Sequence, residues 1–177
     1  GLGVVAGDFD LDGDQDIYVA NDGVRNFYYR NDEQRFKDIA LQNGAAYNGE
    51  GGPEAGMGVD AGDYDGDGDL DLFVTNFSRE TNTLYRNDRA AGFKDVSPGT
   101  DAANASFNQL GFGTFFFDAD NDAALDLYIA NGHVLDRIQI LEADLRYAQN
   151  DQLLQNDGQG HYSDISATSG AAFAQAL

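Results

Sequence analysis

Short runs of β-branched and aromatic residues follow one another along this chain, separated by clusters of glycine, asparagine and aspartate. In the first part of the chain the runs cover 2–7, 17–20, 26–30 and 35–39; in the second they cover 57–62, 72–75, 83–86 and 93–96. Runs of this length and composition, bounded by turn formers, predict strands. Four strands in sequence, joined by tight turns at Asn31-Asp32, Asn87-Asp88 and Asn156-Asp157, predict antiparallel meanders of the kind that form one propeller blade. The second run of each set is apolar on consecutive residues, as in Ile17, Tyr18 and Val19 or Leu127, Tyr128 and Ile129. That pattern suits a sheet covered on both faces, which stacking between neighbouring blades would supply. Phe27, Tyr28 and Tyr29 on the third strand, and Phe36, Phe93 and Tyr162 in register on the fourth, are expected in the core between blades; a carbohydrate-stacking platform is the second reading.

The pattern repeats. Blade-like repeats are expected over 1–55, 56–110 and 111–177, together one partial propeller domain. The third carries an insertion, about 132–151, between its second and third strands. There Ile138, Leu141 and Leu145 fall at helical spacing, so a short amphipathic helix is expected. The fold class is all-β: three four-stranded antiparallel blades of a β-propeller with one short helical insertion. Three blades fall short of the usual four to eight of a closed propeller, which leaves two apolar faces open and predicts self-association.

The chemistry lies in a stretch that precedes every second strand. It reads DFDLDGDQDIYVAN at 8–21, DYDGDGDLDLFVTN at 63–76 and DADNDAALDLYIAN at 118–131, each copy 55 residues after the last. Hard cations such as Ca²⁺ take about six to eight oxygens, and carboxylates at alternate positions of a curled loop can converge on one ion. Asp8, Asp10, Asp12 and Asp16 are expected as side-chain ligands, with the backbone carbonyl of Asp14 completing the set. Asp63, Asp65, Asp67 and Asp71, with the carbonyl of Asp69, form the second set. Gly13 and Gly68 allow the sharp turn, since glycine takes positive φ without a Cβ penalty. The third loop keeps Asp118, Asp120, Asp122 and Asp126, and the carbonyl of Ala124, but has Ala123 at the turn. Two calcium sites are expected, and a third that is weaker or empty. An EF-hand is excluded, because it needs a bidentate Glu at position 12 and a following helix, whereas position 12 is Val19, Val74 and Ile129.

The loop pattern D-x-D-x-D-G-x-x-D leading into a strand resembles the FG-GAP or VCBS repeats of integrin α-subunits and bacterial surface proteins. That resemblance implies a β-propeller with calcium held in hairpin loops. GLGVVAGDFD, GMGVDAGDYD and GFGTFFFDAD, the pieces NFYYRND and NTLYRND, and Asn131-Gly132-His133-Val134 are similar to the cartilage acidic protein group, often associated with an ASPIC/UnbV domain. The resemblance covers nearly the whole chain and departs at Ala123. It implies a parent with about seven such repeats.

Composition narrows the partners. With 10 Lys plus Arg against 31 Asp plus Glu, the formal charge is −21, which disfavours nucleic acid and anionic membrane surfaces and favours bound cations. Twelve of the aspartates are the side-chain ligands named above. There is no cysteine, hence no disulfide framework, and no apolar run long enough to span a membrane. The chain starts with Gly1 inside a repeat, and an excerpt of a longer protein is expected. No nucleophile motif or phosphate-cradling loop is present, and no pair among Glu33, Glu50, Glu54, Glu80 and Glu142 stands out as a glycosidase dyad. His133 and His161 read as structural. The expected function is therefore non-catalytic: a calcium-binding propeller module for protein interaction or adhesion at the cell surface or in the extracellular or periplasmic space. A sugar-binding or polysaccharide-processing propeller is the alternative.

Overall fold

The computed structural model describes residues 1–171, 173 and 176, so the expected end of the third repeat at 177 lies outside the described residues. Twelve strands form three four-stranded antiparallel sheets, each a meander in chain order. Sheet one contains β1 (Gly3–Gly7), β2 (Asp16–Ala20), β3 (Phe27–Asp32) and β4 (Arg35–Asp38). Sheet two contains β5 (Val59–Gly62), β6 (Asp71–Val74), β7 (Thr83–Asn87) and β8 (Phe93–Asp95). Sheet three contains β9 (Gly111–Phe117), β10 (Asp126–Asn131), β11 (Gln152–Asn156) and β12 (Tyr162–Asp164). The first strands β1, β5 and β9 lie side by side, and the sheets stack face to face as consecutive blades of a partial β-propeller.

Two apolar cores fill the spaces between blades. The first joins Phe9, Tyr18 and Tyr28 of sheet one to Leu72, Val74, Tyr85 and Phe93 of sheet two. The second joins Tyr64, Phe73 and Leu84 of sheet two to Leu127, Ile129, Leu154 and Tyr162 of sheet three. Successive side chains of a strand point to opposite faces, so Leu72 and Val74 enter one core while Phe73 enters the other. All four residues of β6 are buried, whereas β2 buries alternate residues, because only the middle blade has a neighbour on each side. The same geometry corrects one expectation. Phe93 and Tyr162 are buried, but Phe36, at the equivalent register position, is 51% exposed, and Phe27 and Tyr29 are only half-buried and outside both cores, since among the described residues no sheet lies in front of sheet one.

The insertion is only partly helical. The expected short helix forms as a single turn, α3 (Ile138–Leu141), and the chain turns extended at Glu142. Ile138 and Leu145 are buried while Leu141 is 75% exposed, so the three residues do not share a face. Tertiary anchors hold the segment instead. Arg79 pairs with Glu142 at 2.8 Å and Asp144 at 2.6 Å, and the Gln149 side chain accepts the Leu110 backbone N–H at 2.8 Å. Two further short helices, α1 (Ala40–Asn43) and α2 (Asp101–Ser106), follow the fourth strands of the first two sheets. The Thr100 hydroxyl caps α2 by accepting the Ala103 N–H.

Candidate metal centre

Each acidic loop connects the first strand of a sheet to the second, and each is organised by its first aspartate. Asp8 accepts the backbone N–H groups of Asp12 at 3.1 Å and Gly13 at 3.0 Å. Asp63 does the same for Asp67 and Gly68, both at 3.0 Å, and also takes Gly66 at 2.8 Å. Asp118 accepts from Asp122 and Ala123, both at 3.1 Å. The fifth position then accepts the N–H two residues on, as Asp12, Asp67 and Asp122 do for Asp14, Asp69 and Ala124. These bonds curl the backbone so that the remaining carboxylates face inward.

The turn needs left-handed backbone at two positions, of which the sequence pattern exposes one. The sixth position is left-handed at Gly13 (φ 95), Gly68 (φ 90) and Ala123 (φ 72), so the third loop keeps the shape and bears the strain of a non-glycine residue. The fourth position is also left-handed, at Leu11 (φ 60), Gly66 (φ 76) and Asn121 (φ 62). Glycine and asparagine tolerate that region and were the available signal; the Leu11 side chain hides it.

The curled loops bring carboxylate oxygens within 4.8 Å of one another in three clusters: Asp8, Asp10 and Asp12; Asp63, Asp65 and Asp71; Asp118, Asp120 and Asp122. Loops one and three thus gather the first, third and fifth positions, while loop two gathers the first, third and ninth. Asp67 lies outside the second cluster, although it makes the same turn bond as Asp12 and Asp122. Asp16, Asp71 and Asp126, at the ninth position, are buried at the start of the second strands and bridge the loop to the third strand. Asp16 accepts the backbone N–H of Phe9 and of Asn31 and the Tyr28 hydroxyl at 2.8 Å. Asp71 accepts from Tyr64 and Asn87, and Asp126 from Ala119 and Asn156. The seventh-position side chains point elsewhere. Asp14 accepts the Glu33 N–H, and Asp69 is pinned by the Arg89 guanidinium at 2.6 Å.

Electrostatic frustration is concentrated here. Burial pushes the Asp71 carboxyl up to about 7, although two backbone N–H groups oppose the shift. Asp65 is raised by burial and then by the Asp67 charge, and Asp10 by burial and then by Asp16 and Asp12. One oxygen of Asp65 is buried without a hydrogen-bond partner. A dense, all-oxygen donor set with an unsatisfied buried carboxylate oxygen fits a hard divalent cation, whose charge would reverse these shifts.

Three asparagines complete the architecture, and reading them as turn formers alone missed their larger role. The Asn87 amide donates to the Leu70 carbonyl of its own blade at 3.1 Å and to the Phe9 carbonyl of the preceding blade at 2.8 Å. Asn156 repeats the arrangement on Leu125 and Tyr64. The first and second acidic loops are therefore each stitched to the next blade. His133 lies apart from the clusters, buried, with Nδ1 accepting the Leu135 N–H at 3.0 Å and its ring edge-on to Phe77; burial lowers its pKa. His161 is exposed beside Asp157. Of the glutamates, Glu54 accepts from Thr83 and Asn48, Glu80 from the Ala55 N–H, and Glu142 pairs with Arg79.

Comparison with protein families gives a match to the FG-GAP-like repeat over residues 8–74 and again over 63–129. The two matches share the second acidic loop and together run from the first loop to the second strand of the third sheet. No curated protein matches the chain.

Proposed function

The chain belongs to the FG-GAP-like repeat family, and from that premise we propose that it is a non-catalytic, calcium-braced propeller module that presents its loops to a protein partner outside the cell. The observation that carries the reading is the recurrence of three convergent carboxylate clusters at the same place in three successive blades. Calcium bound there would neutralise the crowded aspartates and tie the first two strands of each blade together. Binding energy of this kind becomes folding energy when the unfolded chain has no such site. The backbone carbonyls of Asp14, Asp69 and Ala124 are the proposed neutral ligands. Within the family, we read the chain as nearest in style to the cartilage acidic protein group.

Partner recognition falls to the insertion of the third blade, which exposes Val134, Leu135, Ile140, Leu141 and Tyr147 on one segment. That segment is tied to the body by Arg79 and Gln149, so deleting it would unfold more than a loop; charged substitutions at Ile140 and Leu141 are the cleaner probe. The sugar-binding alternative is weakened because Tyr28 on the third strand and Phe93 and Tyr162 on the fourth are buried between blades, which leaves Phe36 as the one exposed member of the fourth-strand register. Silence on a glycan array and a glycosidase panel would favour the protein-interaction reading, and a hit on either would favour the alternative.

The direct test is calcium titration by calorimetry on chelator-stripped protein, with melts in Ca²⁺, Mg²⁺ and EDTA. Saturation near two or three ions with a Ca²⁺-selective rise in melting temperature is expected. No heat and no shift would reduce the repeated aspartates to surface charge.

A further inference from the structure

In every blade the turn between the third and fourth strands leans on the acidic loop of the same blade. The asparagine that opens the turn donates to the eighth-position carbonyl of the loop, Asn31 to Gln15, Asn87 to Leu70 and Asn156 to Leu125. Two residues later the backbone is left-handed in all three, at Glu33 (φ 52), Arg89 (φ 53) and Gly158 (φ 75). That third turn residue meets the seventh position of the loop. The Glu33 N–H donates to the Asp14 carboxylate at 3.3 Å, the Arg89 guanidinium binds Asp69, and Gly158 lines the same cleft as Ala124. The aspartates at the first, third, fifth and ninth positions are common to the three loops, so this contact is where their charge differs. The first loop has two acids there, the second an acid and a base, and the third neither.

Arg89 is held firmly at the second loop. Its Nε lies 2.7 and 2.6 Å from the two carboxylate oxygens of Asp69, whose side chain is 2% exposed. One terminal nitrogen donates to the Asp67 carbonyl at 3.1 Å and would stand 3.9 Å from a Cβ on Gly68. The guanidinium therefore covers the fifth, sixth and seventh positions, the sharpest part of the turn. Among the described residues no other Lys, Arg or His side chain forms an ion pair with any of the three loops. Arg30 and Arg86 act on Asp10 and Asp65 from equivalent third-strand positions, so they do not distinguish the first loop from the second. The second loop is also the one whose cluster takes the ninth-position carboxylate in place of the fifth.

We infer that this turn residue sets the calcium affinity of its loop, so that the loops fill in order, and that Arg89 is a built-in counter-ion which holds the second loop below the first. The inference rests on the calcium reading given above and adds to it the residue that grades the sites. The affinity of an all-oxygen site follows the charge and rigidity of its surroundings. A guanidinium fixed by two carboxylate oxygens cannot swing away when a dication arrives, so it cancels the Asp69 charge and repels the ion. The first loop has no such cation, and Asp14 and Glu33 add attraction there. Part of the effect is lost to screening at an exposed site, which leaves a change in affinity of roughly threefold to tenfold when the Arg89 charge is removed. On the aspartate pattern alone the first two loops are equal.

Calcium titration of the chelator-stripped whole chain, followed by NMR, tests this site by site. The backbone N–H groups of Gly13, Gly68 and Ala123 each donate to the first aspartate of their own loop and so report one loop apiece. In the wild type the Gly13 signal is expected to move at lower calcium than the Gly68 signal. Arg89→Gln should lower the Gly68 midpoint by roughly threefold to tenfold and leave Gly13 where it was. Arg89→Lys keeps the charge and should stay near the wild type. Asp69→Asn keeps the backbone carbonyl but leaves Arg89 uncompensated, and should raise the Gly68 midpoint. Melts in EDTA check that each variant folds; if Arg89→Gln does not, Arg89→Lys and Asp69→Asn decide. Gly13 and Gly68 responding together, or Gly68 first, would overturn the inference and leave calcium binding intact. So would an unmoved Gly68 midpoint in Arg89→Gln, an equal shift in Arg89→Lys, or a lowered midpoint in Asp69→Asn. If no loop signal responds to calcium at all, the calcium reading itself fails and this inference with it.

Discussion

Leu11 and Ala123 hold left-handed backbone angles that their side chains disfavour by roughly 1 kcal/mol or more, at turns where sheet two uses Gly66 and Gly68. Leu11→Asn and Ala123→Gly are therefore expected to raise stability by about 0.5–1 kcal/mol each, read as a shift in the denaturation midpoint with an unchanged slope. Ala123→Gly should also tighten cation binding by the third loop. A neutral or destabilising outcome would mean that the loops tolerate the strain through contacts elsewhere.

Asp71 gives a pH dependence of defined sign. Its folded-state pKa, about 7, lies above the ordinary carboxyl value of 3.8, so between these values the native form holds a proton that the unfolded chain has lost. Stability of the cation-free protein is expected to fall as pH rises through that window. A bound cation needs the ionised carboxylate, so the difference between melts in Ca²⁺ and in EDTA should widen from about pH 5 to about pH 7. His133 acts in the opposite direction. Its pKa is lowered by burial below the ordinary imidazole value of 6.5, so its contribution is present above that value and is lost as pH falls, and His133→Gln should flatten the acid limb of the stability curve.

At the scale of the elements, the stitch between loop and blade is the feature most open to mutation. Asn156→Ala removes four hydrogen bonds, those that its amide donates to the Tyr64 and Leu125 carbonyls and those that it accepts from the Gly158 and Gly160 N–H groups, and the Leu125 carbonyl keeps only the Tyr162 hydroxyl. A loss of about 1–3 kcal/mol is expected, measured by chemical denaturation. Its effect should reach the second loop, because Tyr64 sits between Asp63 and Asp65, and weaker cation binding there is the second readout. Phe93→Ala, which empties the centre of an aromatic cluster with Phe9 and Tyr28, is expected to cost about 3–5 kcal/mol. The insertion shows the limit of periodicity: the short helix predicted from Ile138, Leu141 and Leu145 forms over Ile138–Leu141, but Leu141 is 75% exposed and Leu145 is buried beyond the helix end, so the three do not share one face.

For the molecule as a whole, the charge of −21 means that bound cations, as proposed, would stabilise the fold. A site held at about 100 times its dissociation constant contributes roughly 2.7 kcal/mol, so stripping calcium from two or three independent sites should lower the melting temperature by many degrees, and Mg²⁺ should restore little of it. Among the described residues no helix is long and apolar enough to cross a membrane.

The number of blades, their four-strand meanders and the place of each acidic loop are local properties, written in short apolar runs, turn residues and a 55-residue period. The first-position aspartates and the sixth-position turn were legible for the same reason, since a ligand loop closes within a few residues. What the chain order could not supply is which faces find a neighbour. Phe36 and Phe93 are equivalent in sequence, yet only Phe93 is buried, because burial depends on the sheet stacked in front. Likewise Asn31, Asn87 and Asn156 read alike as turn residues, and the cross-blade bond appears only where a preceding loop lies within reach. Local backbone chemistry sets the blade, and contacts between residues far apart in the chain decide how the blades and their cation loops are joined.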